Sequence, residues 1–304
     1  AQDLLPLMET VYYLIARCVI GIAFCLPLKW VAWCGRHAGA IAWHLDKRHR
    51  DVALQNLHAS FPEKNESEIR KIARENFRRL GETYSSVLKA GRMKENEILE
   101  ILTIEGYGEI ENILKENPEE RIILAAGHFG NFELFSWLRL AAPSVRQWIT
   151  TYRGLRQRKL TELLLDLRKA SGVLYLERRD QGPQIKKAME LPGVVLGLVA
   201  DQHAGASGIR LPVFDRMASV NPAPAIMAKR YNCRLFPTAC FRTSLGRWKI
   251  ELGNEIPIRT NGKRRSTKDI TLDIIAVHEE YIRRDPANWF WVHNLWKPNL
   301  EVDG

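Results

Sequence analysis

Residues 122–133 read IILAAGHFGNFE, an apolar run followed by a glycine-rich turn that carries a histidine and a glutamate. Five consecutive apolar residues bounded by a turn are typical of a buried strand in a parallel β-sheet. We expect His128 directly after this strand, and a helix that begins near Asn131 with Glu133 in its first turn. Ligands of open α/β sheets bind beyond the carboxyl ends of the strands, so this turn is the first candidate for a functional site.

Apolar runs of strand length alternate with amphipathic helical segments around this turn. The alternation predicts an α/β fold with a mainly parallel central sheet flanked by helices. Residues 244–247, between the last two runs, are typical of a hairpin turn, so an antiparallel edge is also expected. The predicted strands are 121–126, 148–152, 173–176, 194–200, 235–241 and 248–252, and the predicted helices are 66–90, 132–141, 156–170, 184–191, 223–230 and 267–284.

The first 45 residues are more apolar than the rest of the chain. Residues 11–28 are apolar apart from Arg17. This length is close to the roughly 20 apolar residues that a membrane span needs, although a central arginine is costly in a bilayer. Pro27 should end or kink this helix. The aromatic and basic residues that follow, up to the cluster at 47–50, are typical of a membrane interface that faces the cytoplasm.

These features predict N-terminal membrane-anchoring or interfacial helices over residues 1–45 and one further domain over residues 46–304. No linker rich in Pro, Gly or Ser and no internal repeat divides the larger part. Whether the first segment spans the membrane or lies on it stays open. The alternative is that residues 4–45 form a hydrophobic helical hairpin of a soluble domain, since buried helices give a similar signal.

The charge of the chain limits its partners. Lys+Arg 45 against Asp+Glu 35 gives a net charge of +10, which indicates an acidic partner such as nucleic acid, an anionic lipid surface or an acidic carrier protein. Nucleic acid is not expected, because the basic residues are dispersed and accompany no nucleic-acid motif. The five cysteines are scattered, and His203 and Asp201 have no ligand set of recognisable spacing, so we expect neither metal nor cofactor.

His128 and Glu133 are the candidate catalytic pair. The carboxylate of Glu133 can fold back to accept the Nδ1 proton of His128, which leaves Nε2 as a general base for a substrate hydroxyl. The backbone amides of the Gly130-Asn131 turn, or a nearby arginine, could hold the oxyanion of an acyl transfer. The alternative is a capping loop, in which His128 bonds to backbone and Glu133 complements the helix dipole.

Two other predicted strands end at the same edge of the sheet. Residues 194–200 lead to Asp201, which could hold the protonated imidazole of His128, bind polar substrate atoms or cap a turn. Arg153 follows the strand 148–152 and could bind a phosphate with its planar fork. The basic residues after it are expected on a solvated helix face or against an acidic partner; they are Arg156, Arg158 and Lys159.

Residues 127–133 resemble the His-x4-Asp/Glu signature of glycerolipid acyltransferases. In the form GHFGNFE, the segment is similar to that of the bacterial lipid A biosynthesis acyltransferase family. Further segments resemble this family in the same order along the chain and together cover nearly all of it: Asn56-Leu57 with Phe61-Pro62-Glu63, Tyr152-Arg153, Ala200-Asp201-Gln202, and the closing residues 289–297, WFWVHNLWK.

The resemblance implies a glycerolipid acyltransferase-like fold and a membrane-associated O-acyltransferase. Such an enzyme moves a fatty acyl chain from an acyl-carrier-protein thioester or acyl-coenzyme A to a hydroxyl of an anionic glycolipid, in this family a lipid A precursor. It works on the cytoplasmic face of the bacterial inner membrane. The resemblance makes His128 the base and Glu133 its orienting partner, and it puts Arg153 and Asp201 in the acceptor pocket.

Three segments depart from the family pattern and leave the acceptor open. Residues 213–216 and 219–224 differ from the usual sequence, and Asn294-Leu295 stand where two arginines are usual. Lost arginines mean lost phosphate contacts, so the acceptor could instead be a mannosylated phosphatidylinositol or an amino-acid lipid. A non-catalytic membrane-binding protein of the same fold is the alternative of another class; the presence of His128, Glu133 and Asp201 counts against it.

Overall fold

The structure is a computed structural model that describes residues 4–297, with side chains from residue 9 onward. Residues 1–3 and 298–304, which belong to the predicted ranges 1–45 and 46–304, lie outside the described residues. The division of the chain at residue 45 stays a prediction.

The helices and strands follow the alternation expected of an α/β chain. The α-helices are α1 Leu4–Cys25, α2 Leu28–Leu45, α3 Lys47–Ser60, α4 Glu66–Ala90, α5 Glu95–Ile101, α6 Gly108–Glu116, α7 Arg158–Arg168, α8 Gly182–Glu190, α9 Ala223–Tyr231 and α10 Thr267–Arg284. The strands are β1 Leu102–Glu105, β2 Ile122–Ala126, β3 Gln147–Tyr152, β4 Leu174–Glu177, β5 Val194–Val199, β6 Ile209–Val213, β7 Arg216–Val220, β8 Arg234–Ser244, β9 Arg247–Leu252, β10 Arg259–Thr260 and β11 Lys263–Arg264. Short 3₁₀ helices occupy Phe132–Leu140, Lys169–Ser171, Gly205–Ser207 and Pro286–Asn288.

A seven-stranded sheet forms within the described residues, in the order β1-β9-β8-β2-β5-β3-β4. The five strands from β8 to β4 are parallel neighbours, which confirms the predicted mainly parallel sheet. The predicted hairpin is also confirmed, because β9 runs antiparallel to β8 after the turn. However, β9 is not the edge of the sheet, since β1 pairs with it in parallel.

The central strand β2 is buried on both faces. Ile123 and Ala125 pack in a core with α9 and α10, whereas Ile122 and Leu124 pack in a second core with α6 and the 3₁₀ helix after β2. A strand covered by helices on both sides has no polar face, which explains its uninterrupted apolar run. In the register of the sheet, Ala126 lies opposite Val199 of β5, so β2 and β5 end at the same level.

The N-terminal helices pack against the same body. Pro27 separates α1 from α2, as predicted, and α1 contacts α4 and α7. The crossing of α2 over α4 is close: a Cβ on Gly39 would lie 2.1 Å from the carbonyl oxygen of Phe77, so glycine is required there. Among residues 4–297, no helix is both long enough and apolar enough to cross a membrane. The predicted membrane anchor is therefore not confirmed.

Candidate active site

His128 and Asp201 form a hydrogen-bonded pair where β2 and β5 end. Nδ1 of His128 lies 2.7 Å from Oδ1 of Asp201, and the backbone N–H of His128 donates to Oδ2 of the same carboxylate at 2.7 Å. Nε1 of Trp289 also donates to Oδ2, at 2.8 Å. Asp201 thus fixes both the backbone and the ring of His128.

Asp201 is held as an anion. Burial by itself would raise the pKa of this carboxyl, whose side chain is only 7% exposed. The charge and hydrogen bond of His128, the hydrogen bond from Trp289 and the charge of His278 outweigh burial and lower the pKa of Asp201 to about 2. A buried anion beside Nδ1 can stabilise the imidazolium that forms when Nε2 takes a proton.

Glu133 contacts Arg168 of α7 instead of His128, so the predicted hydrogen bond between His128 and Glu133 is wrong. Nε of Arg168 donates to Oε2 of Glu133 at 2.9 Å, and Nη2 donates to Oε1 in the same bidentate ion pair. The physical reason is that Asp201 already occupies Nδ1 of His128, at 2.7 Å, while Arg168 holds the carboxylate of Glu133 at α7. The ring of Phe132 stands against the imidazole on this side, 4.8 Å between centroids. Burial opposes the charge of Arg168, but Glu133 raises its pKa overall.

His128 opens onto a cavity of about 550 Å³ between the 3₁₀ helix, β3 and α7. Nε2 of His128 lies 3.4 Å from Nε2 of Gln202, which also lines this cavity. Charged and apolar side chains share the walls, and such a lining suits a ligand that has an anionic group and a hydrocarbon chain. The basic wall residues are Arg153, Arg168 and Arg178, and the apolar ones include Leu124, Leu138, Trp148, Ile149, Leu164, Val173 and Val199.

The structure brings together most of the residues that the sequence singled out. His128, Glu133 and Arg153 line the same cavity, and Asp201 lies behind His128. Arg153 is exposed at the end of β3, as predicted.

Gly130 and Asn131 do not face the cavity with their backbone amides, which corrects the predicted oxyanion site. The N–H of Gly130 donates to the carbonyl oxygen of Asn288 at 2.8 Å, and the N–H of Asn131 is directed to the thiol of Cys240. Gly130 has a positive φ of 58°, and a Cβ there would lie 2.1 Å from the carbonyl oxygen of Cys240. The turn is therefore packed so tightly onto β8 that both amides already have partners.

The segment that carries Trp289 is anchored by two buried asparagines. Nδ2 of Asn76 donates to the carbonyl oxygens of Ala287 and Trp289, and Nδ2 of Asn56 donates to those of Trp291 and His293. These bonds satisfy carbonyl groups that a buried loop would otherwise leave unpaired. The family-like block that begins in α3 at Asn56 and the closing block are thus in contact, and these bonds help to position Trp289 at Asp201.

His293 of the closing segment makes a contact with the loop that follows Asp201. Its Nε2 accepts the backbone N–H of His203 at 3.0 Å. Burial, opposed by the charge of Asp201, lowers the pKa of His293 to about 4, so the ring is neutral and can accept this bond at neutral pH. Leu295, which stands at a usual arginine position, is buried in the core.

Reasoning from the sequence did not assign a role to three residues of this site. Gln202 and Trp289 were marked only as parts of family-like blocks, although the position of Gln202 directly after Asp201 was a usable signal. Arg168 carried no signal, because it lies on α7, 35 residues from Glu133, on a helix with two other basic residues.

A comparison with known families covers nearly the whole chain. The sequence profile described as bacterial lipid A biosynthesis acyltransferase matches residues 3–298. No curated protein matches the chain. A match of this extent confirms the resemblance seen in the motifs and implies an acyltransferase. The chain therefore belongs to the bacterial lipid A biosynthesis acyltransferase family.

Proposed function

We propose that this enzyme transfers a fatty acyl chain from an acyl-carrier-protein thioester to a hydroxyl of an anionic glycolipid, with a lipid A precursor as the acceptor. The observation that carries the proposal is the bond between Nδ1 of His128 and buried Asp201, at the head of a cavity with apolar and basic walls. This pair has the form of the His-Asp half of a hydrolase triad, with the acceptor hydroxyl in the place of serine.

The proposed step is direct transfer with His128 as the general base. Since Nδ1 is bonded to Asp201, Nε2 of the neutral ring is left on the cavity side. The acceptor oxygen attacks the thioester carbonyl carbon while Nε2 takes the hydroxyl proton. When the tetrahedral intermediate collapses, the carbon–sulfur bond breaks and the leaving thiolate takes the proton back from the imidazolium. Asp201 stays ionised throughout and stabilises the imidazolium.

A side chain is proposed to hold the oxyanion, because the amides of Gly130 and Asn131 are occupied by Asn288 and Cys240. Gln202 is the cavity residue adjacent to Nε2 of His128, at 3.4 Å, and its amide can donate to a negative oxygen. A donor that is fixed before reaction costs no reorganisation when the charge develops.

Glu133 is proposed to act through Arg168 as a positioning residue. The bidentate ion pair fixes the guanidinium of Arg168 at the cavity wall, where Arg153 and Arg178 also lie. Three arginines that line one cavity suit the phosphate groups of an anionic acceptor or of the donor's phosphopantetheine arm. In this role Glu133 affects substrate binding and alignment more than the basicity of His128.

An acidic carrier protein is proposed to dock at the mouth of the cavity. Arg153 and Arg178 line the cavity, and the exposed Arg156 and Arg179 follow them within three residues along the chain. Basic residues around a substrate entrance attract an acidic partner and raise its rate of association. Acyl-coenzyme A is the other donor to be tested.

We also propose that α1 and α2 lie on the cytoplasmic face of the bacterial inner membrane. Val11, Ile15, Val19 and Ile22 follow each other at helical spacing and are between 45% and 62% exposed. An apolar helix face of this kind on a folded protein is typical of membrane contact. Because α1 also packs against α7, whose residues line the cavity, a lipid substrate would have a short path to His128.

The test measures transfer of a radiolabelled acyl chain from its carrier-protein thioester, by wild type and His128→Ala, with a lipid A precursor or total phospholipid as acceptor. His128-dependent product on the lipid A precursor is the expected result. Product only on another lipid, such as a mannosylated phosphatidylinositol, would keep the mechanism and replace the acceptor. Faster transfer from acyl-coenzyme A would replace the donor. Equal rates in the two proteins, or no product from any donor, would refute the enzymatic proposal.

A further inference from the structure

A second pocket of about 330 Å³ lies where α2, α4 and the β8–β9 turn meet, apart from the residues that line the His128 cavity. Three arginines, from α2, α4 and β8, line it together with a tryptophan and a histidine of α2. They are Arg36, Arg78, Arg242, Trp33 and His37. Basic groups that converge from three separate elements on one concavity form a candidate anion site.

A buried glutamate fixes two of these arginines. Glu82 is 1% exposed, and its Oε2 accepts bonds from Nη1 of Arg36 at 3.2 Å and from Nε of Arg242 at 2.8 Å. Oε1 of Glu82 accepts the backbone N–H of Gly246 in the turn at 2.8 Å. Arg36 is held further by two bonds to Glu75. The two guanidinium groups are therefore oriented in advance, so little conformational entropy is lost when a ligand binds.

Donors remain that the protein does not use. Within the part of the chain that the structure describes, Nη1 and Nη2 of Arg242 make no hydrogen bond, and the exposed Arg78 makes neither a hydrogen bond nor an ion pair. Arg36 and Arg242 pair with the carboxylates of Glu75 and Glu82, whereas no carboxylate among the described residues pairs with Arg78, so the pocket keeps a positive charge. Phosphate oxygens match the planar fork of arginine, and they would satisfy these donors.

The surroundings of the pocket indicate the source of the phosphate. Trp33 borders the pocket and is 47% exposed, and its neighbour Trp30 is 61% exposed; their rings meet edge to face at 6.4 Å. Exposed tryptophans are typical of the level of a bilayer at which lipid headgroups lie. Both lie on the helix that follows the exposed apolar face of α1.

We propose that this pocket binds the phosphate of an anionic phospholipid headgroup and so fixes how the enzyme sits on the membrane. It is a site separate from the catalytic cavity. The inference shares with the proposed function the contact of α1 and α2 with a bilayer, but not the acyl transfer. Recognition of a soluble headgroup by the pocket does not depend on either.

The test compares Arg78→Gln with Lys71→Gln, a matched control. Lys71 is exposed on the same face of α4, two helical turns before Arg78 and outside the pocket. Binding is measured by co-sedimentation with phosphatidylcholine vesicles, with or without phosphatidylglycerol. Loss of one surface charge should weaken binding to anionic vesicles by about fivefold in either variant. Loss of specific bonds to phosphate should make Arg78→Gln weaker than Lys71→Gln by a further factor of about ten.

Soluble competitors and activity separate the possible outcomes. Glycerophosphoglycerol should compete with anionic vesicles for wild type but not for Arg78→Gln. Equal binding of the two variants to anionic vesicles would overturn the headgroup site. If, in that case, wild type but not Arg78→Gln still bound inorganic phosphate, the pocket would be reassigned to free phosphate. Arg78→Gln should keep wild-type acyl transfer on detergent-dispersed substrates, whereas His128→Ala should keep wild-type vesicle binding. A failure of the headgroup site is thereby distinguished from a failure of the proposed function.

Discussion

Replacing Asp201 with Asn changes one oxygen to an amide nitrogen and tests the proposed catalytic pair. Oδ2 of Asp201 accepts two bonds, from the backbone N–H of His128 and from Nε1 of Trp289. In the variant the amide must keep its oxygen at these two donors, so its NH2 group faces Nδ1 of His128. Nδ1 would then have to accept a bond, which moves the ring proton to Nε2. The nitrogen that faces the cavity would no longer be a base.

The size of the effect has a lower and an upper estimate. The pKa of Asp201 falls from 3.8 to about 2 in the folded protein, which is on the order of 2 to 3 kcal/mol in favour of the carboxylate. Loss of that stabilisation from an imidazolium-like transition state reduces the rate about 10²-fold. The wrong tautomer adds to this, and in a serine-protease triad the same substitution costs about 10⁴-fold. We therefore expect kcat/KM of Asp201→Asn to fall by about 10² to 10⁴.

The assay is acyl transfer from the radiolabelled thioester, with rates measured from pH 5 to about 9 because the ring must be neutral to act as a base. Asp201→Asn keeps the shape and the bonds to Trp289, so it should still unfold in one cooperative transition in urea, and this transition is the control for correct folding. The midpoint should lie below that of wild type, because the folded state stabilises the carboxylate that the variant lacks. A kcat/KM within tenfold of wild type in a folded variant would refute the pairing of His128 with Asp201.

Three further predictions concern the rest of the site. Glu133→Gln removes the charge that fixes the cavity arginine, so kcat/KM should fall about 10- to 100-fold, less than in Asp201→Asn; a reversed order would restore Glu133 as the partner of His128. Gly130→Ala should lower the free energy of unfolding by about 2 to 5 kcal/mol, because a Cβ there meets a backbone oxygen at positive φ. Gly108→Ala, with open space around its Cβ, is the matched control and should unfold like wild type in urea. The free energy of unfolding should decline as pH falls from about 6.5 toward 4, since unfolded histidine binds a proton there while folded His293, with a pKa of about 4, does not. His293→Asn should flatten this decline, and an unchanged pH profile would show that His293 is not the group responsible.

The sheet could be predicted from the sequence because its central strands are apolar on both faces. The strands β2 and β5 could be predicted from their apolar runs and from the turns that follow them. In contrast, β1 was missed because its four residues are partly exposed and offer no continuous run. The hairpin of β6 and β7 was missed because Phe214 and Asp215 form its turn at positive φ, where glycine or asparagine would have been the signal.

The partner of His128 could not be chosen from the sequence. Two carboxylates were within reach in principle, Glu133 at five residues and Asp201 at 73 residues along the chain. Which of them meets Nδ1 depends on the direction in which the 3₁₀ helix leaves the turn, and this direction follows from its packing against α4 and β8. The carboxyl ends of parallel strands were the better guide, since that rule predicted Asp201 at the same edge of the sheet as His128, although not as its partner.

Because residues 289–297, the closing segment, help to hold the catalytic pair, catalysis depends on the completed fold. Asn56 binds the backbone of Trp291 across 235 residues of chain, and Trp289 reaches back to the carboxylate behind His128. No local folding unit contains all of these parts, so a partly folded chain that already holds the sheet would still lack an oriented base. Such a species would be unable to attack an acyl thioester. Catalytic activity is thus a late marker of folding in this protein, and it should disappear before the secondary structure does when the closing segment detaches.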